Sequence, residues 1–147
     1  MLNIIPDSVY KIDAELSKQL DLLTSMILGD FQKSDLDVNL KLISSEEMQN
    51  LNHSFRKKDA DTNVLSFPAD EVTHSNINEL GDIAISIPFI KKEAKDLSTS
   101  FDSHIMHMLA HGILHLLGHD HLQDKEATLM ESTEANYLKK FNIASPY

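Results

Sequence analysis

The stretch from His104 to Gly118 constrains the fold of this chain more than any other part of the sequence. Its histidines recur every three or four residues among mostly apolar neighbours, at His104, His107, His111 and His115. At 100° per residue these four side chains form one narrow stripe of a helix, and apolar side chains cover the remaining surface. A buried imidazole without a polar partner is costly. The pattern therefore predicts a buried helix whose single polar seam faces hydrogen-bond acceptors or a metal ion.

Within the stripe, His111 and His115 are four residues apart. Zinc enzymes use this spacing to hold one ion from a single helix face. His107 and His111 have the same spacing, so spacing alone leaves them open as an alternative pair. We expect His107 and His104 to line the cavity or to form hydrogen bonds with nearby groups.

A third ligand cannot come from a further turn of the same helix, because eight residues of helix advance about 12 Å. Gly118 permits a positive φ, with which the helix can end and the chain can turn back. His121 is then the natural third ligand, and His119 is the main alternative. Three neutral imidazoles leave a fourth coordination position open, which is typical of catalytic zinc sites. Zn²⁺ suits this donor set, although Ni²⁺, Co²⁺ and Cu²⁺ accept similar ligands.

The run HGILHLLGHDH, residues 111–121, places its histidines and Gly118 where the metzincin zinc-protease signature H-E-x-x-H-x-x-G-x-x-H has them. One position differs. Gly112 stands where the protease motif has the glutamate that deprotonates the metal-bound water. The sequence therefore indicates a catalytic metal centre and disfavours a peptidase.

Composition limits the class of protein further. The 147 residues fit one domain, over residues 1–147. With 13 Lys and Arg against 23 Asp and Glu the net charge is −10, which disfavours non-specific coating of DNA. The chain has no Cys, so it has neither disulfides nor thiolate metal sites. The N-terminal residues lack the features of a secretory signal, and no apolar run is long enough to span a membrane. We expect a soluble, cytoplasmic protein.

Apolar patterns predict strands interleaved with helices. Strands are expected at residues 2–5, 38–42, 63–67 and 82–87. Helices are expected at residues 8–29, after the capping box of Ser44 and Glu47, from Pro88, from 102 or 103 to 118, and at 124–140. The connections are long enough for crossovers. The predicted fold is α+β or α/β, with one small mixed sheet of about four strands covered by about five helices.

Three ordered blocks of the sequence resemble the YbeY family of bacterial single-strand endoribonucleases, and the resemblance covers most of the chain. The blocks are LNHSFRKKDADTNVLSFP at 51–68, LGDIAIS at 80–86 and HGILHLLGHDH at 111–121. The third is similar to the family pattern H-G-x-L-H-L-x-G-Y-D-H and departs from it at His119, where the family often has Tyr. The resemblance implies a zinc ion on His111, His115 and His121. It also implies cleavage of RNA, processing of ribosomal RNA including the small-subunit 3′ end, and a part in ribosome maturation and quality control.

The same resemblance assigns the family's active-site arginine to Arg56. Considered without it, Arg56 is one charge at the end of a predicted helix, where a solvated surface role is more common. A guanidinium can grip a phosphate through two hydrogen bonds and offset the charge that develops in a transition state. Lys57 and Lys58 extend Arg56 into a basic run that can attract RNA locally.

The last predicted helix carries three acidic candidates, Glu126, Glu131 and Glu134. Surface charge accounts for such residues in most helices. One of them is nevertheless a candidate to orient a ligand imidazole, or to replace the base that Gly112 lacks.

The predicted function is metal-assisted cleavage of phosphodiester bonds in single-stranded RNA, with ribosomal RNA as substrate and the ribosome or a ribosomal protein as partner. The nucleophile is either water or the 2′-hydroxyl of the RNA. Two other classes stay open. A metzincin-like metalloprotease would share the metal site, and a non-catalytic ribosome-assembly factor would use the zinc structurally.

Overall fold

A mixed β-sheet with helices packed on both faces positions the histidine-rich segment. The computed structural model describes residues 1–5, 10–69, 78–119 and 123–147. Its strands are β1 (Leu2–Ile4), β2 (Asp37–Ile43), β3 (Val64–Pro68) and β4 (Glu79–Ser86). Its helices are α1 (Ala14–Asp30), α2 (Ser45–Arg56), α3 (Ile87–Asp96), α4 (Phe101–Leu116) and α5 (Asp124–Lys139). The predicted α+β fold, with four strands and five helices in the described part of the chain, is confirmed.

The strand order is β1-β2-β4-β3. β2 pairs in parallel with β1 and with β4, whereas β3 pairs antiparallel to β4 at one edge. Ser66 of β3 lies opposite Ile83 of β4, and Leu65 lies opposite Ala84. Because side chains alternate between the two faces of a sheet, Ser66 and Ile83 share one face, and Leu65 and Ala84 share the other.

The larger core lies on the face of Ile83, where α1, α4 and α5 pack together. α4 is its central element, and Ile105, Leu109 and Ile113 of this helix are fully buried. A smaller cluster on the opposite face holds α2 against the sheet through Ile43, Met48, Leu65 and Ala84. The prediction of a buried histidine helix is thus confirmed, and α4 and α2 lie in different layers.

Helix boundaries follow the capping residues. As predicted, the Ser44 hydroxyl caps α2 by accepting a hydrogen bond from the Glu47 amide at 3.1 Å, and Pro88 lies in the first turn of α3. The predicted start of the first helix at residue 8 is wrong for residues 10–13, because Asp13 caps the helix by accepting from the Leu16 amide at 2.7 Å. Residues 8 and 9 lie outside the described residues. In the described part of the chain, no helix meets the length and apolarity that a membrane crossing requires.

Candidate metal centre

The first histidine of α4, His104, forms a hydrogen bond that links two helices. His104 is almost fully buried, and its Nε2 lies 2.6 Å from Oε1 of Glu93 on α3. The same Glu93 oxygen accepts a hydrogen bond from Nδ2 of Asn63, just before β3, at 3.0 Å. His104 therefore joins α4 to α3, as expected for a histidine outside the ligand pair.

His111 and His115 present the same nitrogen to each other. Their Nε2 atoms are 3.1 Å apart, and their rings meet edge to face with centroids 4.6 Å apart. Two nitrogens bound tetrahedrally to one Zn²⁺ at about 2.0–2.1 Å would be roughly 3.3 Å apart. The separation of the two Nε2 atoms therefore fits two ligands of a single ion, and the structure brings together the pair that the sequence favoured.

The other ring nitrogen of His111 is held by Glu134 of α5. Nδ1 of His111 lies 2.8 Å from Oε1 of Glu134, and the Glu134 side chain is fully buried. A carboxylate only accepts hydrogen bonds, so Nδ1 carries a proton, and in the neutral ring the lone pair is then on Nε2. This is the arrangement in which a carboxylate orients a metal-ligating histidine.

Glu134 carries its negative charge despite its burial. Desolvation alone would raise the pKa of this carboxyl group, but hydrogen bonds and charge interactions from His107 and His111 outweigh it and lower the pKa from 4.5 to about 2. His107 takes part because its Nε2 lies 3.4 Å from Oε1 of Glu134. The carboxylate is therefore ionised throughout the neutral pH range and can orient a histidine at any working pH.

The second oxygen of Glu134 is bound by Tyr147. The Tyr147 hydroxyl donates to Oε2 of Glu134 at 2.9 Å, and Nε2 of His107 lies 3.0 Å from the same hydroxyl. Burial and the neighbouring Glu134 charge raise the pKa of Tyr147 above its usual value, so the hydroxyl keeps its proton. His107 thus forms hydrogen bonds to neighbouring groups, as predicted.

Gly112 lies where α4 packs closely against the sheet. Its carbonyl oxygen accepts a hydrogen bond from the Ser66 hydroxyl at 3.0 Å. A Cβ atom at this position would lie 3.0 Å from Cδ1 of Ile83 and 3.1 Å from Oγ of Ser66. Any side chain here would press on Ile83 and Ser66, which gives a packing reason for the difference from the protease signature.

The end of α4 reverses as the sequence predicted. Gly118 has a left-handed φ of +96°. Its amide donates to the His115 carbonyl at 3.0 Å, and the His119 amide donates to the Leu114 carbonyl at 2.9 Å. These are the two bonds of a Schellman motif. The His119 ring packs edge-on against the ring of Phe31, with centroids 5.4 Å apart.

The predicted third ligand, His121, lies outside the described residues. Within residues 1–5, 10–69, 78–119 and 123–147, no group of three His, Cys, Asp or Glu side chains is arranged to hold a metal ion. The described part of the centre thus consists of the pair His111 and His115 with Glu134 behind it. The assignment of His121 stays a prediction.

Arg56 is the last residue of α2 and is exposed. α2 and α4 pack on opposite faces of the sheet. Next to Arg56, the ring of Phe55 packs against the ring of Phe67 on β3, with centroids 5.0 Å apart. Among the described residues, the Arg56 side chain forms no hydrogen bond or ion pair. The structure therefore leaves the guanidinium available for a ligand, and its contacts do not connect it to the histidine pair.

Comparison with known proteins decides the family. A family model described as Endoribonuclease YbeY matches residues 6–142, which is nearly the whole chain. The chain belongs to the YbeY family. The resemblance predicted from the three sequence blocks is thereby confirmed.

Relatives of the YbeY family match over most of their length. Endoribonuclease YbeY of Vesicomyosocius okutanii is 36% identical over 144 residues, covering 98% of this chain and 99% of the relative. Endoribonuclease YbeY of Colwellia psychrerythraea is 39% identical over 133 residues, covering 88% of this chain and 86% of the relative. The solution structure of TM1509 from Thermotoga maritima superposes with a TM-score of 0.66 at 27% identity, covering 95% of this chain and 88% of that one. The fold is therefore shared with a solved structure.

Sequence reasoning found part of the hydrogen-bond network around the YbeY-family histidines. Glu134 was one of three acidic candidates on the last helix, and only the packing of α5 on α4 singles it out. Tyr147 was missed. It lies outside every periodic segment, 13 residues after Glu134 and 40 residues after His107, so no spacing rule connects it to either.

Proposed function

We propose that this chain is a metal-dependent endoribonuclease that cleaves single-stranded RNA and acts in the processing of ribosomal RNA. The observation that carries the proposal is the facing pair of Nε2 atoms, 3.1 Å apart, on two histidines of one helix. Membership of the endoribonuclease YbeY family supports the nuclease activity. The proposal extends to maturation of the small-subunit 3′ end, to ribosome quality control and to the cytoplasm as the place of action.

The proposed ligands are Nε2 of His111, Nε2 of His115 and the imidazole of His121. Neutral imidazoles form a donor set that suits Zn²⁺, and three of them leave a position open. A zinc ion held there supplies positive charge and Lewis acidity to a phosphate group of the substrate.

The residues of the chain contribute orientation and charge. Glu134 fixes the His111 ring through Nδ1, so that Nε2 is the nitrogen presented to the ion. Arg56 binds a phosphate and stabilises the negative charge that develops on its oxygens. The whole chain has a net charge of −10, so RNA requires a local patch of positive charge. Arg56, which is exposed, supplies this charge together with the adjacent Lys57 and Lys58.

Single strands are the proposed substrate because in-line attack on a phosphodiester requires a flexible backbone. The net charge of −10 gives little affinity for RNA in general. Specificity for one site in ribosomal RNA would then come from the ribosome or a ribosomal protein that presents the strand.

The test is cleavage of an unstructured RNA by the purified protein, with chelator, without chelator, and with Zn²⁺ restored. We expect the chelator to abolish cleavage and added Zn²⁺ to restore it. We expect the His111→Ala variant to be inactive and the His119→Ala variant to cleave RNA like the wild type. Mapping the product ends identifies the nucleophile, because a 2′,3′-cyclic phosphate shows attack by the 2′-hydroxyl. Cleavage that persists equally in chelator and in His111→Ala would refute metal dependence.

Casein incubated in parallel tests the peptidase alternative, which the packing of Gly112 against Ile83 and Ser66 disfavours. Chelator-sensitive cleavage of casein without cleavage of RNA would replace the nuclease proposal. Metal binding with neither activity would favour an assembly factor that uses its zinc structurally.

A further inference from the structure

The carboxylate of Glu134 is bound through both of its oxygens. Oε1 faces Nδ1 of His111 at 2.8 Å, and Oε2 accepts from the Tyr147 hydroxyl at 2.9 Å. The final torsion of a glutamate side chain is broad, so one hydrogen bond on one oxygen does not fix the plane of the carboxylate. A second bond on the other oxygen does fix it.

The protons of this network have one consistent arrangement. Glu134 accepts only, so the Tyr147 hydroxyl donates its single proton to Oε2. The Tyr147 oxygen can then accept from Nε2 of His107, which is 3.0 Å away. His111 donates from Nδ1 to Oε1. Rotation of the carboxylate would break the bonds to His111 and Tyr147 together.

A second chain reversal brings Tyr147 to Glu134. After α5, Asn142 takes a left-handed φ of 61°. The Asn142 amide donates to the Lys139 carbonyl at 3.0 Å, and the Ile143 amide donates to the Leu138 carbonyl at 3.1 Å, so this turn is also a Schellman motif. Ile143 packs against the main core and anchors the segment. Tyr147 as a residue is 57% exposed, but its hydroxyl reaches the buried carboxylate.

We infer that Tyr147 is a positioning residue of the proposed metal centre: its hydroxyl holds the Glu134 carboxylate in the plane that orients His111. The inference rests on the proposed function, because it assigns Tyr147 a role in a metal site. Substitutions of groups that orient a metal ligand weaken metal binding by about 10- to 100-fold. Tyr147 acts through Glu134, so its effect belongs at the lower end of this range.

Tyr147→Phe tests the inference, because it removes only the hydroxyl and keeps the ring that contacts His107 edge-on at a centroid distance of 5.6 Å. Tyr137→Phe is the matched control. It removes a hydroxyl that donates to Oδ2 of Asp30 at 2.6 Å, which is also a bond to a carboxylate but lies outside the histidine network. The measurements are the dissociation constants for Zn²⁺ and Co²⁺, the visible spectrum of the Co²⁺ protein, and the thermal unfolding of the metal-free protein.

We expect Tyr147→Phe to raise both metal dissociation constants about tenfold and to change the Co²⁺ spectrum. Tyr137→Phe should lower thermal stability and leave metal affinity within twofold of wild type. Wild-type affinity and spectrum in Tyr147→Phe would overturn the inference while leaving the proposed function intact. Equal losses of affinity in the two variants would also overturn it, because they would show a general effect of stability. A wild-type protein that binds neither metal would overturn the proposed function, and the inference with it.

Discussion

Glu134→Gln tests the role of the buried carboxylate while preserving its shape. In the wild type, Oε1 of Glu134 accepts from Nδ1 of His111 at 2.8 Å, and Oε2 accepts from Tyr147 at 2.9 Å. A glutamine keeps one acceptor oxygen for His111 and places an NH₂ group towards Tyr147. The hydroxyl can accept from this group by turning its own proton away. The variant thus removes the negative charge while keeping the shape of the side chain and one acceptor oxygen for His111.

The magnitude follows from the loss of charge. Hydrogen bonds to charged groups contribute about 1.5–3 kcal/mol, against about 0.5–1.5 kcal/mol for neutral ones. Losing charge assistance on the His111 bond and the charge interaction with His107 together amounts to about 2 kcal/mol, which is about 30-fold in a dissociation constant. The value lies within the 10- to 100-fold range measured for groups that orient metal ligands.

The assay is competition for Zn²⁺ against a chromophoric chelator of known affinity, at neutral pH. Glu126→Gln is the matched control, because Glu126 is an exposed glutamate of the same helix. We expect about 30-fold weaker binding in Glu134→Gln and wild-type binding in Glu126→Gln. Affinity within threefold of wild type in Glu134→Gln would show that the carboxylate does not hold the ligand imidazole.

Three further predictions use different parts of the structure. Arg56→Ala should lower the rate of RNA cleavage by about 100- to 1,000-fold at unchanged metal content. The control Lys91→Ala, on α3, should have little effect on this rate. Equal cleavage rates in the two variants would show that Arg56 has no part in the site. Gly112→Ala should lower the free energy of unfolding by about 1 kcal/mol, because contacts of 3.0–3.2 Å with Ile83 and Ser66 outweigh the gain in helix propensity. Gly29→Ala, whose Cβ would meet Ser34 at 3.7 Å, should instead raise it in the same denaturant titration. The last of these predictions concerns pH. The pKa of Glu134 in the folded protein is about 2, below its ordinary value of 4.5. Ionisation of Glu134 therefore stabilises the fold above pH 4.5, and this stabilisation is lost as the pH falls towards 2. The pKa difference corresponds to about 3 kcal/mol. The stability gap between metal-free wild type and Glu134→Gln should therefore narrow on acidification, and a gap that widens would contradict the assignment.

Local patterns in the sequence were sufficient for most of the fold. The apolar alternation of β4 and the cap at Ser44 are set by near neighbours, so they could be predicted from short segments. The start of α1 could not, because the apolar spacing continues upstream of Asp13, whose side chain caps the first turn of the helix. The strand order depends on pairings between distant segments, for which periodicity carries no information.

The candidate site divides in the same way. His111 and His115 were predictable because both lie on one helix, where spacing fixes their relative positions. Gly118 was predictable as the point of reversal, since only its positive φ was required. The selection of Glu134 from its helix depends on how α5 packs against α4. The position of Tyr147 depends on the path of the chain after the turn at Asn142, which spacing does not fix.

Zinc stoichiometry in single-histidine variants shows which side chains hold the proposed metal ion. The protein, stripped of metal and reloaded with Zn²⁺, is analysed for bound metal after removal of the excess. We expect one zinc per chain in the wild type and none in His111→Ala, His115→Ala or His121→Ala. We expect one zinc per chain also in His119→Ala, because the wild-type His119 ring packs against Phe31. One zinc per chain retained in both His111→Ala and His115→Ala would show that these two histidines do not hold the ion.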